Sequence, residues 1–323
     1  MFCAAGTYGK EAAAAHAAAY PYAPLGLLPK SADDFWDAFV AASFEKMQRH
    51  LTAGLDRKNV PVAFPATPHA QARYRSLTSK GASRWITTVP TKASHSMHDD
   101  HFRVAVRHML GLPATDSLPD TCVCQADLRV EPHHFHVCPQ LRQKATRIRH
   151  DLLVQTLARI ARHADIVAEV ETTRPIDGKR TRPDLLLVGT SAVLVDVTVS
   201  HPLAATFVER AAEVNNHVAE QRARDKHAKY DALAKQELVD FKAYSADAFG
   251  AVSNDARDLV RWMATEACAF GAASYSDFVS DAIACLSFAL QTGNARLALS
   301  AASRVSHAAH RARRARGRAI AGP

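Results

Sequence analysis

Residues 180–202, RTRPDLLLVGTSAVLVDVTVSHP, decide the fold of the central region. Two apolar runs of strand length flank the turn Gly189-Thr190-Ser191, a pattern that predicts a β-hairpin. Both faces of the second run are largely apolar, which indicates burial on both sides of a sheet. Each run nevertheless carries one aspartate, Asp184 or Asp196, although buried sheets normally exclude unpaired carboxylates.

The predicted register of this hairpin places the two aspartates opposite each other. A three-residue loop pairs Val188 with Ala192, and in that register Asp184 lies directly opposite Asp196. Opposed β-carbons are about 4.5–5.5 Å apart, so two carboxylates there repel each other unless they share a proton or bind a divalent cation. Magnesium suits such oxygen ligands. The structural alternative is that Asp184 forms a turn after Pro183 and that Asp196 pairs with an arginine.

The elements around the hairpin predict an α/β or α+β fold. A basic amphipathic helix is predicted over 141–163 and a strand over 165–171. After the hairpin, residues 203–238 are predicted to form one long helix. Two further helices follow, over 252–270 and 276–303. A mixed sheet flanked by helices is the expected architecture.

Composition excludes some function classes. The chain has 323 residues with 48% hydrophobic content, enough for a large core in one or two domains. It has no apolar run long enough for a membrane span, and its alanine-rich start is a poor signal peptide, so no membrane partner is expected. The formal charge of +8 is concentrated near the end, where residues 304–323 form an acid-free basic tail. Such a tail is typical of either a polyanion-binding segment or a solubilising one.

A Cys/His cluster predicts a structural zinc site. Cysteine thiolates together with an imidazole favour zinc, and four protein ligands leave no open position for water. His133 or His136 can replace His134 in this arrangement. The proposed ligands, with closely paired spacings, are Cys122, Cys124, His134 and Cys138.

Basic residues surround the two aspartates in the sequence. They form either an ordinary solvated surface or, beside a metal-binding carboxylate pair, a set of phosphate contacts. A nuclease also benefits from a cation near the scissile phosphate. Thr198 stands where a lysine would share a face with Asp196, so Lys226 or Lys229 of the following helix is the candidate cation. The candidate phosphate-binding residues are Arg147, Arg149, His150 and Arg182.

These motifs together resemble a known nuclease family. RPDLLLVGTSAVLVDVTV, with the preceding IRHDLLVQTLARI, is similar to the PD-(D/E)xK nuclease fold of restriction enzymes and archaeal Holliday-junction resolvases. The order of Cys/His cluster, RHD, RPD and DVTV resembles the C-terminal restriction-like endonuclease region of non-LTR retrotransposons, which has a CCHC zinc knuckle just upstream. The resemblance covers roughly residues 80–250.

The resemblance implies roles for several acidic and basic residues. Asp184 and Asp196 would bind catalytic Mg²⁺ or Mn²⁺. Asp151 or Glu171 would add a further acidic ligand. Because Thr198 occupies the usual lysine position, Lys229 or Lys226 would take the role of that lysine.

The implied function is a metal-dependent DNA endonuclease that nicks target DNA for target-primed reverse transcription. DNA, element RNA and a reverse transcriptase domain in a longer polyprotein are the expected partners, and the expected location is nuclear. The sequence contains no aromatic-x-Asp-Asp palm motif of a reverse transcriptase. The alternatives are a catalytically decayed or domesticated zinc-knuckle nucleic-acid-binding module and a helical interaction protein with a structural aspartate pair.

The same reasoning divides the chain into segments. The core segment is expected to have the restriction-endonuclease-like fold, preceded by the zinc knuckle and a helical extension. The predicted segments are 1–30 disordered and low in complexity, 31–117 helical linker, 118–140 zinc knuckle, 141–250 nuclease core, 251–303 C-terminal helices and 304–323 basic tail.

Overall fold

The computed structural model describes residues 67–170, 174–176, 179–271 and 273–321, all within one unit that spans residues 66–323. The side chains of 142–145, 174–176, 179–181 and 315–321 are not part of this description. Three predictions therefore lie outside the described residues: the disordered segment 1–30, the helical linker before residue 67, and Glu171 as a site residue.

Helices dominate the described part of the chain. They are α1 Pro68–Leu77, α2 Arg84–Thr87, α3 Asp99–Leu110, α4 His134–Val137, α5 Arg142–His163, α6 Val208–Glu213, α7 His217–Glu237, α8 Asn254–Ala269 and α9 Tyr275–Ala321. The strands are β1 Val167–Val170, β2 Arg174–Ile176, β3 Lys179–Thr181, β4 Leu185–Val188, β5 Ala192–Ser200 and β6 Asp240–Asp247. None of the described helices is long and apolar enough to cross a membrane.

A mixed four-stranded sheet lies at the centre, in the order β1-β4-β5-β6. Strands β1, β4 and β5 are antiparallel neighbours, whereas β5 and β6 run parallel. Val188 pairs with Ala192 and Leu185 with Val195, which confirms the predicted hairpin register. Strands β2 and β3 form a separate two-stranded hairpin.

Helices cover both faces of the sheet because the side chains of β5 alternate in direction. Val193, Val195 and Val197 pack into the main core with residues of α5, α8 and α9. Leu194 points the other way and packs with α7, where Tyr230 and other apolar side chains cover it. The predicted mixed sheet flanked by helices is therefore confirmed.

The segment after β5 differs from the prediction of one long helix. It contains two helices, α6 and α7, and the chain turns between them. Asn216 precedes α7 with a left-handed φ of 57°, a conformation that asparagine tolerates better than most residues and that cannot continue a right-handed helix. The amphipathic pattern on both sides of the break resembles one helix, which is why the prediction was wrong here.

Strand β6 was not predicted. It pairs in parallel with β5 along eight residue positions, from Val193 with Asp240 to Ser200 with Asp247. Most of it is buried, and its Asp, Lys, Ser and Asp residues interrupt the apolar run that identifies a buried parallel strand. Its neighbours compensate for these polar groups: Asp247, for instance, accepts backbone N–H groups from Phe249, Gly250 and Ala251.

Helix α9 extends further than the predicted C-terminal helix. It continues through most of the basic tail to Ala321. Ala298, Ala301 and Val305 are buried against the Cys/His region, whereas Arg311 to Arg314 are mostly exposed. The basic tail is thus a helical continuation that projects beyond the packed part of α9.

Candidate functional site

The hairpin places Asp184 and Asp196 in one open cleft of about 610 Å³. Asp184 comes directly before β4, and Leu185 pairs with Val195, so the register sets Asp184 across from Asp196. The Asp184 carboxylate accepts a hydrogen bond from the Val197 N–H, 2.6 Å from its Oδ2. This bond holds Asp184 against β5, beside the second aspartate.

Helix α5 supplies the next group of the site. The His150 ring bridges two carboxylates, with Nε2 3.1 Å from Asp184 Oδ2 and Nδ1 3.1 Å from Asp151 Oδ1. The hydrogen bond to Asp184 is the main reason that the pKa of His150 rises to about 9, with Asp151 adding to the effect against the opposing effect of burial. His150 is therefore an imidazolium at neutral pH and links the predicted residues Asp151 and Asp184.

Asp196 is the most buried of these carboxylates, with 3% of its surface exposed. Lys226 Nζ of α7 lies 2.6 Å from Asp196 Oδ2. This ammonium is therefore the ion-pair partner of an oxygen that is otherwise shielded from water. A buried carboxylate oxygen in this state is costly unless charge compensates it, and it is well suited to a cation.

The two candidate lysines occupy different positions in the cleft. Lys226 pairs with Asp196, whereas Lys229 Nζ donates to the Tyr230 hydroxyl at 2.8 Å and lies 4.4 Å from the centre of its ring. Tyr230 in turn donates to the Arg182 carbonyl at 3.1 Å. Burial, with the neighbouring carboxylates, raises the pKa of the Tyr230 hydroxyl, so it stays protonated. Lys226 is the lysine beside the aspartate pair.

The four candidate phosphate-binding residues also differ in exposure. Arg147 and Arg182 are exposed beside the cleft, and Arg147 Nε lies 3.5 Å from Asp151 Oδ2. Arg149 is buried, and its guanidinium donates to Asn294 Oδ1 at 3.0 Å and to the Val199 carbonyl at 3.2 Å. Burial lowers the pKa of Arg149 to about 10. Arg149 thus connects β5 to α9, and the exposed arginines are better placed to meet a ligand.

The predicted Cys/His ligands come together in the knuckle region. Cys124 Sγ lies 3.1 Å from His134 Nε2, and Cys122 Sγ lies 3.8 Å from Cys138 Sγ. All four ligand atoms are within 4.8 Å of one another, so the group can hold a metal ion such as zinc. Glu131 Oε2, 3.1 Å from His134 Nδ1, orients the ring as outer carboxylates do at zinc sites. His134, rather than His133 or His136, is the histidine of this group.

A second histidine cluster was missed by sequence reasoning, because its members come from distant segments without a common spacing. His108, His136 and His201 are all buried, and Nε2 of His108 and Nε2 of His201 are 3.1 Å apart. The rings of His108 and His136 stack with centroids 4.1 Å apart and an angle of 25°. The ligand nitrogens of the three rings all lie within 4.8 Å of one another, so this buried group could also hold a metal ion.

Three separate segments therefore contribute to the main cleft: α5 with Asp151, the hairpin with Asp184 and Asp196, and α7 with Lys226. A comparison with models of known protein families finds no match for this chain, and a search of curated proteins finds no significant match. Opposed carboxylates, one buried beside a lysine, are groups that can bind a divalent cation and an anionic ligand together.

Proposed function

We propose that this protein is a metal-dependent DNA endonuclease with a PD-(D/E)xK-like core, and that Asp184 and Asp196 bind Mg²⁺ or Mn²⁺. The observation that carries the proposal is the buried Asp196 carboxylate, 3% exposed and paired with Lys226, which lines the same open cleft as Asp184 on the neighbouring strand. A mixed sheet whose central hairpin carries both acids, with a helix on each face, is consistent with such a core.

The residues around the carboxylates supply the remaining functions of a nuclease. A bound divalent cation activates water and polarises a phosphoryl oxygen. The Lys226 ammonium would offset the charge that develops on the scissile phosphate, as the lysine of related nucleases does. Arg147 and Arg182, exposed beside the cleft, would hold the flanking phosphates.

Asp151 lines the same cleft as Asp184 and Asp196. The His150 ring connects the Asp151 carboxylate to that of Asp184. We assign His150 a positioning role, because its ring makes one hydrogen bond to the carboxylate of Asp151 and one to that of Asp184. Glu171, the other acidic candidate, remains a prediction.

The Cys₃His group is proposed to hold structural zinc. Its four ligands complete a tetrahedron and leave no position for a substrate. Cys122 and Cys138 are also part of an apolar cluster with Leu141 and α9, so the metal would hold the knuckle against the last helix. This role is independent of the chemistry in the main cleft.

The biological setting follows from the sequence resemblance and is part of the proposal. The nuclease would nick target DNA for a non-LTR retrotransposon, in the nucleus, together with element RNA and a reverse transcriptase domain of a longer polyprotein. The competing function is a zinc-knuckle nucleic-acid-binding module without catalysis, which the same exposed arginines would support.

A plasmid-nicking assay separates these two functions. The purified protein is incubated with supercoiled plasmid and Mg²⁺ or Mn²⁺, beside the Asp184→Ala and Asp196→Ala variants. Asp258→Ala is the matched control, since Asp258 is a surface residue of α8 whose carboxylate pairs with Arg261. We expect nicking by wild type and the control but not by the two cleft variants. Nicking that survives both cleft substitutions rejects the assigned site, and binding without nicking favours the binding module.

A further inference from the structure

A second cleft, here called the flanking cleft, adjoins the main one. It has a volume of about 410 Å³. Thr146, Arg149 and Val199 line both clefts, so the two clefts adjoin along the last residues of β5. Any chain-like ligand whose reactive group lies at Asp184 and Asp196 can therefore extend into the flanking cleft.

The walls of the flanking cleft are not acidic. None of the described residues that line it is Asp or Glu, in contrast to the main cleft. Arg149 is held by its buried hydrogen bonds, and Arg222 is the more exposed cation on this wall. The cleft thus favours an anionic or neutral ligand.

Arg222 lies over the aromatic ring of Phe207 at the flanking cleft. The guanidinium carbon of Arg222 lies 4.9 Å from the centre of the Phe207 ring. Its orientation is set on one side by Ser200, whose Oγ accepts from Arg222 Nε at 3.1 Å, and on the other by Asp225, 2.9 Å from Nη1. Guanidinium planes and aromatic rings are the groups on which proteins stack unpaired bases.

We propose that the flanking cleft binds one unpaired nucleotide next to the scissile phosphate. Its base would stack on the Arg222 guanidinium, which the Phe207 ring supports from the other side, and the hydroxyls of Ser200 and Thr206 would lie near its sugar-phosphate backbone. A volume of about 410 Å³ falls in the usual range for small-ligand pockets, about 300–1,000 Å³. A base that remains paired cannot leave its stack to enter such a pocket, so the groove favours DNA with an unpaired strand beside the cleavage position. This inference rests on the proposed nuclease function and specifies its substrate.

The test measures binding of two labelled DNAs by fluorescence anisotropy without divalent metal. One probe is a fully paired duplex, and the other has the same sequence with one strand unpaired beyond a fork. We expect wild type to prefer the forked probe about tenfold, because stacking of one base on an aromatic or guanidinium surface contributes about 1–3 kcal/mol. Arg222→Ala and Phe207→Leu should reduce the preference to less than about twofold.

Two controls keep this result specific. Arg224→Ala removes a cation from the same helix that lines neither cleft and should keep the preference. Phe207 is partly buried in an apolar cluster, so Phe207→Tyr, which keeps the ring, should also keep the preference if the fold is intact. Equal binding of both probes by wild type overturns the inference, as does an Arg222→Ala protein that behaves like Arg224→Ala.

The inference and the proposed function fail in different ways. If nicking requires both aspartates but wild type shows no fork preference, only the flanking cleft is wrongly assigned. If nicking survives Asp184→Ala and Asp196→Ala, the proposed active site is wrong whatever the probes show. A fork preference that depends on Arg222 in a protein that cannot nick would locate a binding site for unpaired nucleic acid without catalysis.

Discussion

Replacing Lys226 by methionine removes the cation beside a buried carboxylate while keeping most of the side-chain volume. Lys226 Nζ lies 2.6 Å from Asp196 Oδ2, and the exposed fractions of the two side chains are 25% and 5%. Breaking a fully buried ion pair costs about 3–5 kcal/mol, since the remaining charge stays desolvated. Because Lys226 is partly exposed and water can reach the vacated side, we expect a loss of about 2–3 kcal/mol in the free energy of unfolding.

Urea denaturation followed by circular dichroism measures this loss, and a double-mutant cycle assigns it. Asp196→Asn removes the charge that Lys226 compensates, so Lys226→Met should cost less than about 1 kcal/mol in that background. The coupling between the two substitutions should therefore be at least about 1 kcal/mol. Lys229→Met, in the same helix and the same cleft, is the matched control and should show no coupling to Asp196→Asn.

Adding Mn²⁺ distinguishes a metal-binding carboxylate from a purely structural ion pair. A ligand at one hundred times its dissociation constant stabilises the folded state by about 2.7 kcal/mol. If the carboxylate pair binds the cation, Mn²⁺ should stabilise Lys226→Met more than wild type, because it replaces the missing positive charge, and it should not stabilise Asp196→Asn. Equal stability of Lys226→Met and wild type, or an Mn²⁺ effect that persists in Asp196→Asn, would refute the reasoning.

Three further predictions concern the knuckle, the cleft histidine and the last helix. Purified protein should contain one zinc per chain by elemental analysis. The Cys138→Ser variant should lose this zinc, whereas His133→Ala should retain it. Zinc loss in His133→Ala would contradict the ligand assignment. In metal-free buffer, the stabilisation contributed by His150 should be complete below about pH 6.5 and lost as the pH rises through about 9, since its pKa is raised in the folded state. His150→Gln should remove this part of the pH dependence of urea unfolding. Deleting residues 306–323, which include the projecting part of α9, should weaken duplex binding and make its logarithmic salt dependence shallower by about 0.9 for each phosphate contact removed. An unchanged slope would show that the basic helix does not touch DNA.

The sequence determined the hairpin and its register. Side chains in a strand alternate with a period of two, and a three-residue turn permits one pairing that keeps both apolar faces buried. The position of Asp184 across from Asp196 followed from these local rules, and the structure has it. The Cys₃His group could also be predicted from the sequence, because its cysteines and the candidate histidines lie in one short segment.

Other features were decided by tertiary packing. Lys226 and Lys229 are alternatives in the sequence, and the docking of α7 on β5 brings Lys226 to Asp196. Arg149 has the same basic character as Arg147 in the sequence, yet its side chain is buried between β5 and α9. Strand β6 carries polar residues whose partners come from other segments, so its own pattern does not identify it. In each case the outcome depends on contacts between segments far apart in the chain, whose distances are set by helix and sheet packing rather than by the local sequence.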